Sequence, residues 1–200
     1  LTLTYMRADA VMLGLFKGPA AVGLYQAGTN LVMNLNVLAR SINHALYPRM
    51  SRAWPGKVQA FCRLRDASFR TISLIAVPAT VGSFLLAPET IDFLYGPEFA
   101  PAVVTYQLLV LVIPIRMLGN TLSLSLVATD RQKQRVVAVS TTAALNITLN
   151  LFLIPRWSYL GAAIATVISE SCLFVTYGLL LRQVAGRSDL LRSLSLPGLA

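Results

Sequence analysis

Charged side chains inside long apolar segments are the residues of this sequence best placed to do chemistry. Arg7 and Asp9 lie in the first apolar segment. Arg116 lies near the middle of the fourth segment, just after Pro114, and Glu170 lies near the middle of the sixth. A charge at mid-bilayer costs about 2.5–3.5 kcal/mol on insertion scales, so such groups face a partner helix or a watery cavity. Because proline also loosens the local helix, we expect Arg116 either to line a cavity or to pair with an acid such as Glu170.

Two roles are open for Glu170: a proton-coupling carboxylate, or a structural group that hydrogen-bonds to a neighbouring helix. The structural role is the simpler expectation. Arg40 lies about two turns from the inner end of the second segment, so its long side chain can extend to the headgroups and needs no cavity. Arg7 and Asp9 are two residues apart, so they point to different sides of a helix and are not expected to pair.

Uncharged polar residues recur every four positions on three segments, which places them on shared helix faces. Such stripes serve either as interhelical hydrogen bonds, each contributing about 0.6–2 kcal/mol, or as the wall of a hydrophilic lumen. Three stripes on three helices favour the lumen. The stripes are Gln26, Asn30 and Asn34; Thr142, Asn146 and Asn150; and Arg116 with Asn120.

Patterns of catalytic residues are hard to find in this sequence. The one histidine, His44, lies near the inner end of the second segment, and a lone histidine is usually structural. Metal-ligand spacings, phosphate-binding glycine loops and nucleophile motifs are missing from the sequence. We therefore expect a protein that is not an enzyme and that needs neither a metal ion nor a cofactor.

Composition predicts a membrane protein. Hydrophobic residues make up 56% of the sequence and charged residues 12%, about half the charged share of a soluble domain. Crossing the hydrocarbon takes about 20 apolar residues in a helix. We therefore predict an all-α integral membrane protein forming a single six-helix transmembrane lobe. The six apolar segments are residues 1–16, 22–47, 71–87, 102–128, 136–154 and 160–181.

The basic residues predict the orientation of these segments. Of the 17 Lys and Arg residues, most lie in residues 49–70, residues 131–135 and the tail after the sixth segment. Cytoplasmic connections are enriched in Lys and Arg, so we expect these three regions in the cytoplasm. The net charge of +9 then reflects topology, and anionic lipid headgroups, not nucleic acid, are the expected partner. Residues 88–101 are expected to form a short outer-surface helix and a turn.

Several strings, taken in order, resemble the polysaccharide (O-antigen type) flippase family. This family belongs to the multidrug, oligosaccharidyl-lipid and polysaccharide exporter superfamily. The family usually has glycine soon after the proline at 155, whereas residues 156–159 are Arg-Trp-Ser-Tyr here, a departure confined to a loop. The strings are residues 9–14 with Gly18 and residues 21–25, then 47–51, 86–91, 95–99, 146–150, 153–155 and 161–166.

The resemblance implies a MATE-like transporter of two lobes, of which this chain is the second, with the N-terminal lobe missing from it. It also implies an undecaprenyl-pyrophosphate-linked oligosaccharide as substrate, flipped by alternating access in a bacterial or archaeal cytoplasmic membrane, with a polysaccharide polymerase as a further partner. Arg116 and Arg7 would then counter the pyrophosphate, and the Asn and Gln stripes would meet sugar hydroxyls.

Three alternatives remain open on the sequence alone. A multidrug exporter of the same superfamily would rely on carboxylates to bind cations, whereas the embedded charges here are mostly arginines. A lipid II exporter would use similar physics. A membrane-embedded enzyme of polysaccharide assembly would need an active-site loop that these 200 residues do not contain.

Overall fold

The computed structural model describes the backbone of residues 2–54 and 56–194, and the side chains of residues 8–37, 39–54 and 56–182. Within this part of the chain the regular structure is helical, with a 3₁₀ turn at Pro97–Phe99. The predicted all-α fold is therefore confirmed. The helices are α1 (Thr2–Lys17), α2 (Pro19–Ala53), α3 (Val58–Leu85), α4 (Ala87–Tyr95), α5 (Ala102–Val110), α6 (Val112–Ala128), and a stretch Gln132–Leu194 that divides into two.

That last stretch bends sharply at Ser158, whose backbone angles (φ 51°, ψ −132°) are not helical. We call residues 132–157 α7 and residues 159–194 α8. A positive φ is unfavourable for a residue with a Cβ atom, so the bend carries strain that the surrounding packing must offset. Gly161 follows one turn later, and a Cβ atom there would overlap the backbone carbonyl of Leu153. Glycine at this position lets the two helices approach closely.

The described parts of the six predicted apolar segments are helical except for single-residue breaks at Leu86 and Leu111, and several of the helices extend further than the segments. The main correction concerns residues 49–70, which we predicted to be a basic loop: α2 continues to Ala53 and α3 begins at Val58. The second basic connection is also shorter than predicted, because α7 begins at Gln132. Lys and Arg are good helix formers, so a helix does not have to end where its apolar segment ends.

The packing of α2 determines the arrangement of the bundle, since this helix contacts α1, α3, α5, α6 and the α7–α8 stretch. The main apolar core lies around it and includes Tyr25, Val32, Ile72 and Ile113. At Gly28 the helix packs against α5 so closely that a Cβ atom would lie 3.2 Å from Cα of Tyr106. The long central helix α2 therefore packs against other helices on several of its faces.

Many large apolar side chains point outward, as expected for a protein whose solvent is lipid. Leu15, Leu74, Phe93 and Phe152 are among the most exposed. In the described part of the chain, three stretches are long and apolar enough to cross a membrane by length and composition: Val58–Leu85, Ala102–Ala128 and Gln132–Arg182. The last of these contains the bend and is long enough for two crossings. The short helix α4 and the 3₁₀ turn occupy the region where we predicted an outer-surface helix and turn.

Candidate functional site: an arginine-lined cavity between helices

A polar cavity of about 130 Å³ lies between α2, α6, α7 and α8. Among the described residues, the charged side chains that line it are three arginines and one glutamate, which together give a net positive charge: Arg40 from α2, Arg116 from α6, Arg135 from α7 and Glu170 from α8. Apolar side chains, such as Phe174 and Val139, complete the wall. Charged groups here are surrounded by apolar helices, so their interactions are stronger than they would be in water.

The ion pair between Arg116 and Glu170 is the central feature of this cavity. Nε of Arg116 donates to Oε1 of Glu170 at 2.9 Å, and Nη2 of Arg116 lies 2.8 Å from the same oxygen. Both side chains are largely buried, with exposed fractions of 14% and 10%. Our two expectations for Arg116, a cavity wall and an acidic partner, therefore describe the same position.

The other two arginines lie differently. Arg135 is in the first turn of α7, and its Nε donates to Oγ of Ser123 on α6 at 2.5 Å. Arg40 is exposed but borders the cavity together with Asn36, one turn earlier on α2. Arg40 thus faces the cavity, although snorkelling had been the simpler expectation.

A second group of buried polar side chains surrounds Asp9 and links four helices. Tyr25 Oη on α2 donates to Asp9 Oδ2 at 3.0 Å, and Asn150 Nδ2 on α7 donates to Asp9 Oδ1 at 2.6 Å. Thr166 Oγ1 on α8 lies 3.3 Å from Oδ2. Asn150 Nδ2 also donates to Asn146 Oδ1 at 2.9 Å. We call these five residues the Asp9 network; they hold α1, α2, α7 and α8 together.

The cavity and the Asp9 network meet at Arg116. A smaller cavity is lined by Asp9, Tyr25 and Thr166 on one side and by Met33 and Arg116 on the other. Met33 and Arg116 line the larger cavity as well. The Arg116 guanidinium also interacts electrostatically with the Asp9 carboxylate. Arg116 therefore lies between two acids, one held by the network and one in the cavity wall.

The ten residues that we predicted to bind substrate fall into separate places. Three line the large cavity, namely Arg116, Asn120 and Glu170. Three belong to the Asp9 network, namely Asp9, Asn146 and Asn150. The α2 stripe of Gln26, Asn30 and Asn34 is exposed and does not line the cavity. The side chain of Arg7 lies outside the described residues.

Sequence reasoning missed several residues of the cavity. Asn36 and Arg40 are four residues apart on α2, so the same spacing argument that found the other stripes could have found this pair. Arg135 is predicted to lie in a cytoplasmic connection because it falls between the fourth and fifth apolar segments, among other basic residues. Ser123 and Tyr177 carry no sequence signal, since hydroxyl groups are common in membrane helices.

A further buried polar cluster lies on the other side of α6. Asn43 Oδ1 accepts hydrogen bonds from Ser68 Oγ and Thr121 Oγ1, each at 2.9 Å. The three residues come from α2, α3 and α6. They line neither of the two cavities, so we assign this cluster to interhelical packing.

Comparison with known proteins identifies related sequences. A family model described as "Polysaccharide biosynthesis protein" matches residues 1–104. The chain is 28% identical over 174 residues to the probable flippase AglR of Haloferax volcanii. This alignment covers 84% of this chain and 36% of AglR. It is 25% identical over 171 residues to a putative O-antigen transporter of Escherichia coli. This alignment covers 84% of this chain and 41% of that transporter. The chain thus spans between 35% and 41% of the length of the curated relatives that it matches.

The fold is similar to that of a solved transporter. A structure of the lipid II flippase MurJ in an inward closed conformation superposes with a TM-score of 0.76 at 17% sequence identity. The match covers 90% of this chain and 41% of that chain. The arrangement of helices is therefore that of one part of a larger transporter fold.

Proposed function

Because this chain belongs to the polysaccharide biosynthesis family of membrane proteins, we propose that the whole protein flips a lipid-linked oligosaccharide across the cytoplasmic membrane by alternating access. The described helices form one lobe of the transporter, and a second lobe completes the pathway. The carrier is an undecaprenyl pyrophosphate, and the product feeds cell-surface polysaccharide synthesis. The protein is a transporter and not an enzyme, in keeping with relatives named as flippases and as a transporter.

The observation that carries this proposal is the net positive cavity between α2, α6, α7 and α8. Three arginines and one glutamate border it, and guanidinium groups bind phosphate oxygens through paired N–H donors. A phosphate-bearing headgroup is the part of the cargo that lipid excludes most strongly, so it needs such a site at membrane depth. Asn120 and Asn36, on the same wall, supply neutral hydrogen-bonding groups for the sugar or the phosphate.

The exposed stripe on α2 belongs to the same pathway in this proposal. Gln26, Asn30 and Asn34 point away from the described helices, and amides facing lipid would lose their hydrogen bonds. The other lobe of the transporter therefore covers this stripe, and the sugar passes between them. Arg7 adds a further cation to the pathway near the start of α1.

The basic ends of the helices face the cytoplasm in this proposal. Residues 49–70, residues 131–135 and the tail from Arg182 onward carry most of the positive charge, and anionic lipid headgroups bind them. The arginine-lined cavity lies in the half of the bundle nearest these ends, because its α7 and α6 residues, such as Arg135 and Ser123, flank the turn between α6 and α7. Cargo thus enters from the leaflet where it is made, and a polysaccharide polymerase takes it on the other side.

The cavity's charge argues against a multidrug exporter of cations. Such a transporter needs excess carboxylate in its binding site, and here the single glutamate of the cavity lining is already bound to Arg116. Cationic drugs would therefore be repelled by the remaining arginines.

The proposal is tested by complementation. The full-length gene is expressed in a flippase-deleted strain with matching sugar chemistry, and surface polysaccharide is measured. Arg116→Ala is expected to lower surface polysaccharide at least about tenfold, because one lost charged contact costs on the order of 1.4 kcal/mol or more. Arg156→Ala, which removes an exposed arginine outside the cavity, is the matched control and should export normally.

If the Arg116→Ala variant exported polysaccharide at the wild-type level, the cavity would not be part of the transport pathway. Failure of the wild-type gene to restore polysaccharide, together with new resistance to cationic dyes, would replace the proposal with multidrug export.

A further inference from the structure

We propose that Glu170 acts as an internal competitor of the cargo phosphate for Arg116, and thereby keeps the affinity of the cavity low enough for release. This inference rests on the proposed function, because it concerns the affinity of the same cavity for an anionic headgroup. It gives the glutamate a role in setting how tightly cargo binds, beyond holding two helices together.

The geometry of the pair supports competition. Nε and Nη2 of Arg116 converge on a single oxygen, Oε1 of Glu170, at 2.9 and 2.8 Å. A carboxylate that matches a guanidinium fully accepts two parallel bonds with its two oxygens. In the two contacts described, Glu170 meets the Nε and Nη2 edge of Arg116 through one carboxylate oxygen. A phosphate, with several oxygens, is able to match that edge better than the one carboxylate oxygen does.

The position of the pair makes this competition unavoidable. Both side chains line the large cavity, and Arg116 lies at the boundary with the smaller cavity near Asp9. A phosphate that reaches Arg116 must come close to the Glu170 carboxylate, and the two negative charges repel each other in a poorly solvated site. Binding is consequently weaker than three arginines alone would make it.

A transporter has a physical reason to include such a residue. A site that binds its cargo too tightly does not release it on the other side, so useful sites combine attraction with limited affinity. Arg40 and Arg135 attract the anion, and no acid of the described chain lines the cavity besides Glu170. When cargo leaves, Glu170 again occupies the donors of Arg116 and opposes return of the anion.

A positioning role is the alternative, and the two roles predict opposite changes in affinity. If Glu170 only orients Arg116, then weakening their contact would misplace the guanidinium and lower the affinity for anions. If Glu170 competes, removing its charge would raise that affinity. Glu170→Gln distinguishes these outcomes, because glutamine keeps the length and an acceptor oxygen for Arg116 but carries no charge.

The experiment measures binding of inorganic pyrophosphate to the purified protein in lipid nanodiscs by titration calorimetry, together with surface polysaccharide in the complemented strain. We expect Glu170→Gln to bind pyrophosphate about tenfold or more tightly than wild type, and to export less polysaccharide because release is slowed. The double variant Arg116→Gln/Glu170→Gln should lose this gain, since the competition acts on Arg116. Circular dichroism and elution volume check that each variant folds.

Three outcomes are informative. Equal or weaker binding by Glu170→Gln, with wild-type binding that depends on Arg116, would overturn the competition while leaving the proposed function intact. Absence of pyrophosphate binding by wild type would count against the anion-binding cavity and so against both. Tighter binding by the double variant as well would place the effect of Glu170 on Arg40 or Arg135 and overturn the assignment to Arg116.

Should Glu170→Gln fail to fold, Glu170→Asp provides the test. The shorter side chain keeps its charge but draws the carboxylate back from Arg116, so competition predicts a severalfold rise in pyrophosphate affinity. A fall in affinity would show that Glu170 serves to position Arg116.

Discussion

The Asp9 network and the arginine-lined cavity are neighbours in the same bundle, yet their polar groups are used in different ways. In the network, the Asp9 carboxylate receives donors from Tyr25 and Asn150 and lies beside Thr166. In the cavity, three arginines and one glutamate line the wall, and the glutamate pairs with Arg116. Both oxygens of the Asp9 carboxylate have hydrogen-bond partners in the network, although Nδ2 of Asn146 and Oδ1 of Asn150 are buried without one among the described residues. The cavity differs because it has an excess of positive charge.

This difference shows that embedded charges in a membrane protein need not share a role. A buried acid surrounded by donors from other helices fixes their relative positions, because each bond broken in an apolar environment is costly. An excess of cations in a polar cavity favours binding of an anion instead. We predicted that Asp9, Asn146 and Asn150 lie in the transport path, and this stays a prediction. The Asp9 variants below distinguish that role from a role in helix packing.

Asp9→Ala is expected to have the largest effect on stability. The change removes the buried carboxylate that accepts hydrogen bonds from Asn150 Nδ2 and the Tyr25 hydroxyl, which keep Asn146 Oδ1 and Thr166 Oγ1 as partners. The free energy of unfolding should therefore fall by roughly 2–4 kcal/mol. Thermal unfolding of the purified protein in detergent, followed by intrinsic fluorescence, measures this as a lower Tm. Asp9→Asn, which keeps one acceptor oxygen, should lose less. If export were lost while the Tm stayed unchanged, Asp9 would have a role in transport and not in helix packing.

Gly161→Val should come next, because a side chain at this position meets the Leu153 carbonyl. Backbone cannot move aside as a flexible side chain can, so we expect about 2 kcal/mol of destabilisation. The Asp9 network should suffer more than the cavity, since Leu153 and Gly161 lie within five residues of its members Asn150 and Thr166. Gly178→Val, with open space around its Cα, is the control. Equal Tm values for the two variants would contradict the close approach.

Arg135→Gln should affect the cavity and spare the network. Loss of one of three cations is expected to weaken pyrophosphate binding about threefold to tenfold, corresponding to roughly 1 kcal/mol. Arg135→Lys keeps the charge and should retain most of the affinity while losing the Nε bond to Ser123. The nanodisc titration described above measures both. A lower Tm with unchanged pyrophosphate affinity would show that Arg135 only stabilises the packing of α7 against α6.

Ser158→Gly should have the smallest effect, and its sign is stabilising. Glycine adopts a positive φ without steric cost, so relief of the strain at Ser158 should raise the free energy of unfolding by about 1 kcal/mol. A small rise in Tm with unchanged export is the expected result. A fall in Tm would mean that the serine side chain contributes more to the bend than its backbone strain removes.

Much of the helical architecture was predictable from the sequence, because lipid requires long apolar helices and penalises anything else. The segment limits at the basic ends were less predictable. Residues 49–70 form the ends of α2 and α3 and not a loop, since charge stops a membrane crossing without stopping a helix. The bend at Ser158 was expected only as a connection between two segments, and the sequence contains no glycine there to mark its positive φ.

By itself, the sequence determined the class of protein, its family resemblance and the set of embedded charges. All of these depend on local composition, order and spacing along one chain. Only the tertiary structure decided which polar groups meet: Arg116 with Glu170 across 54 residues, Asp9 with Asn150 across 141, and Arg40 with Arg135 at one cavity. Pairing of this kind depends on how helices pack and rotate about their axes, and periodicity along a single helix does not specify that rotation.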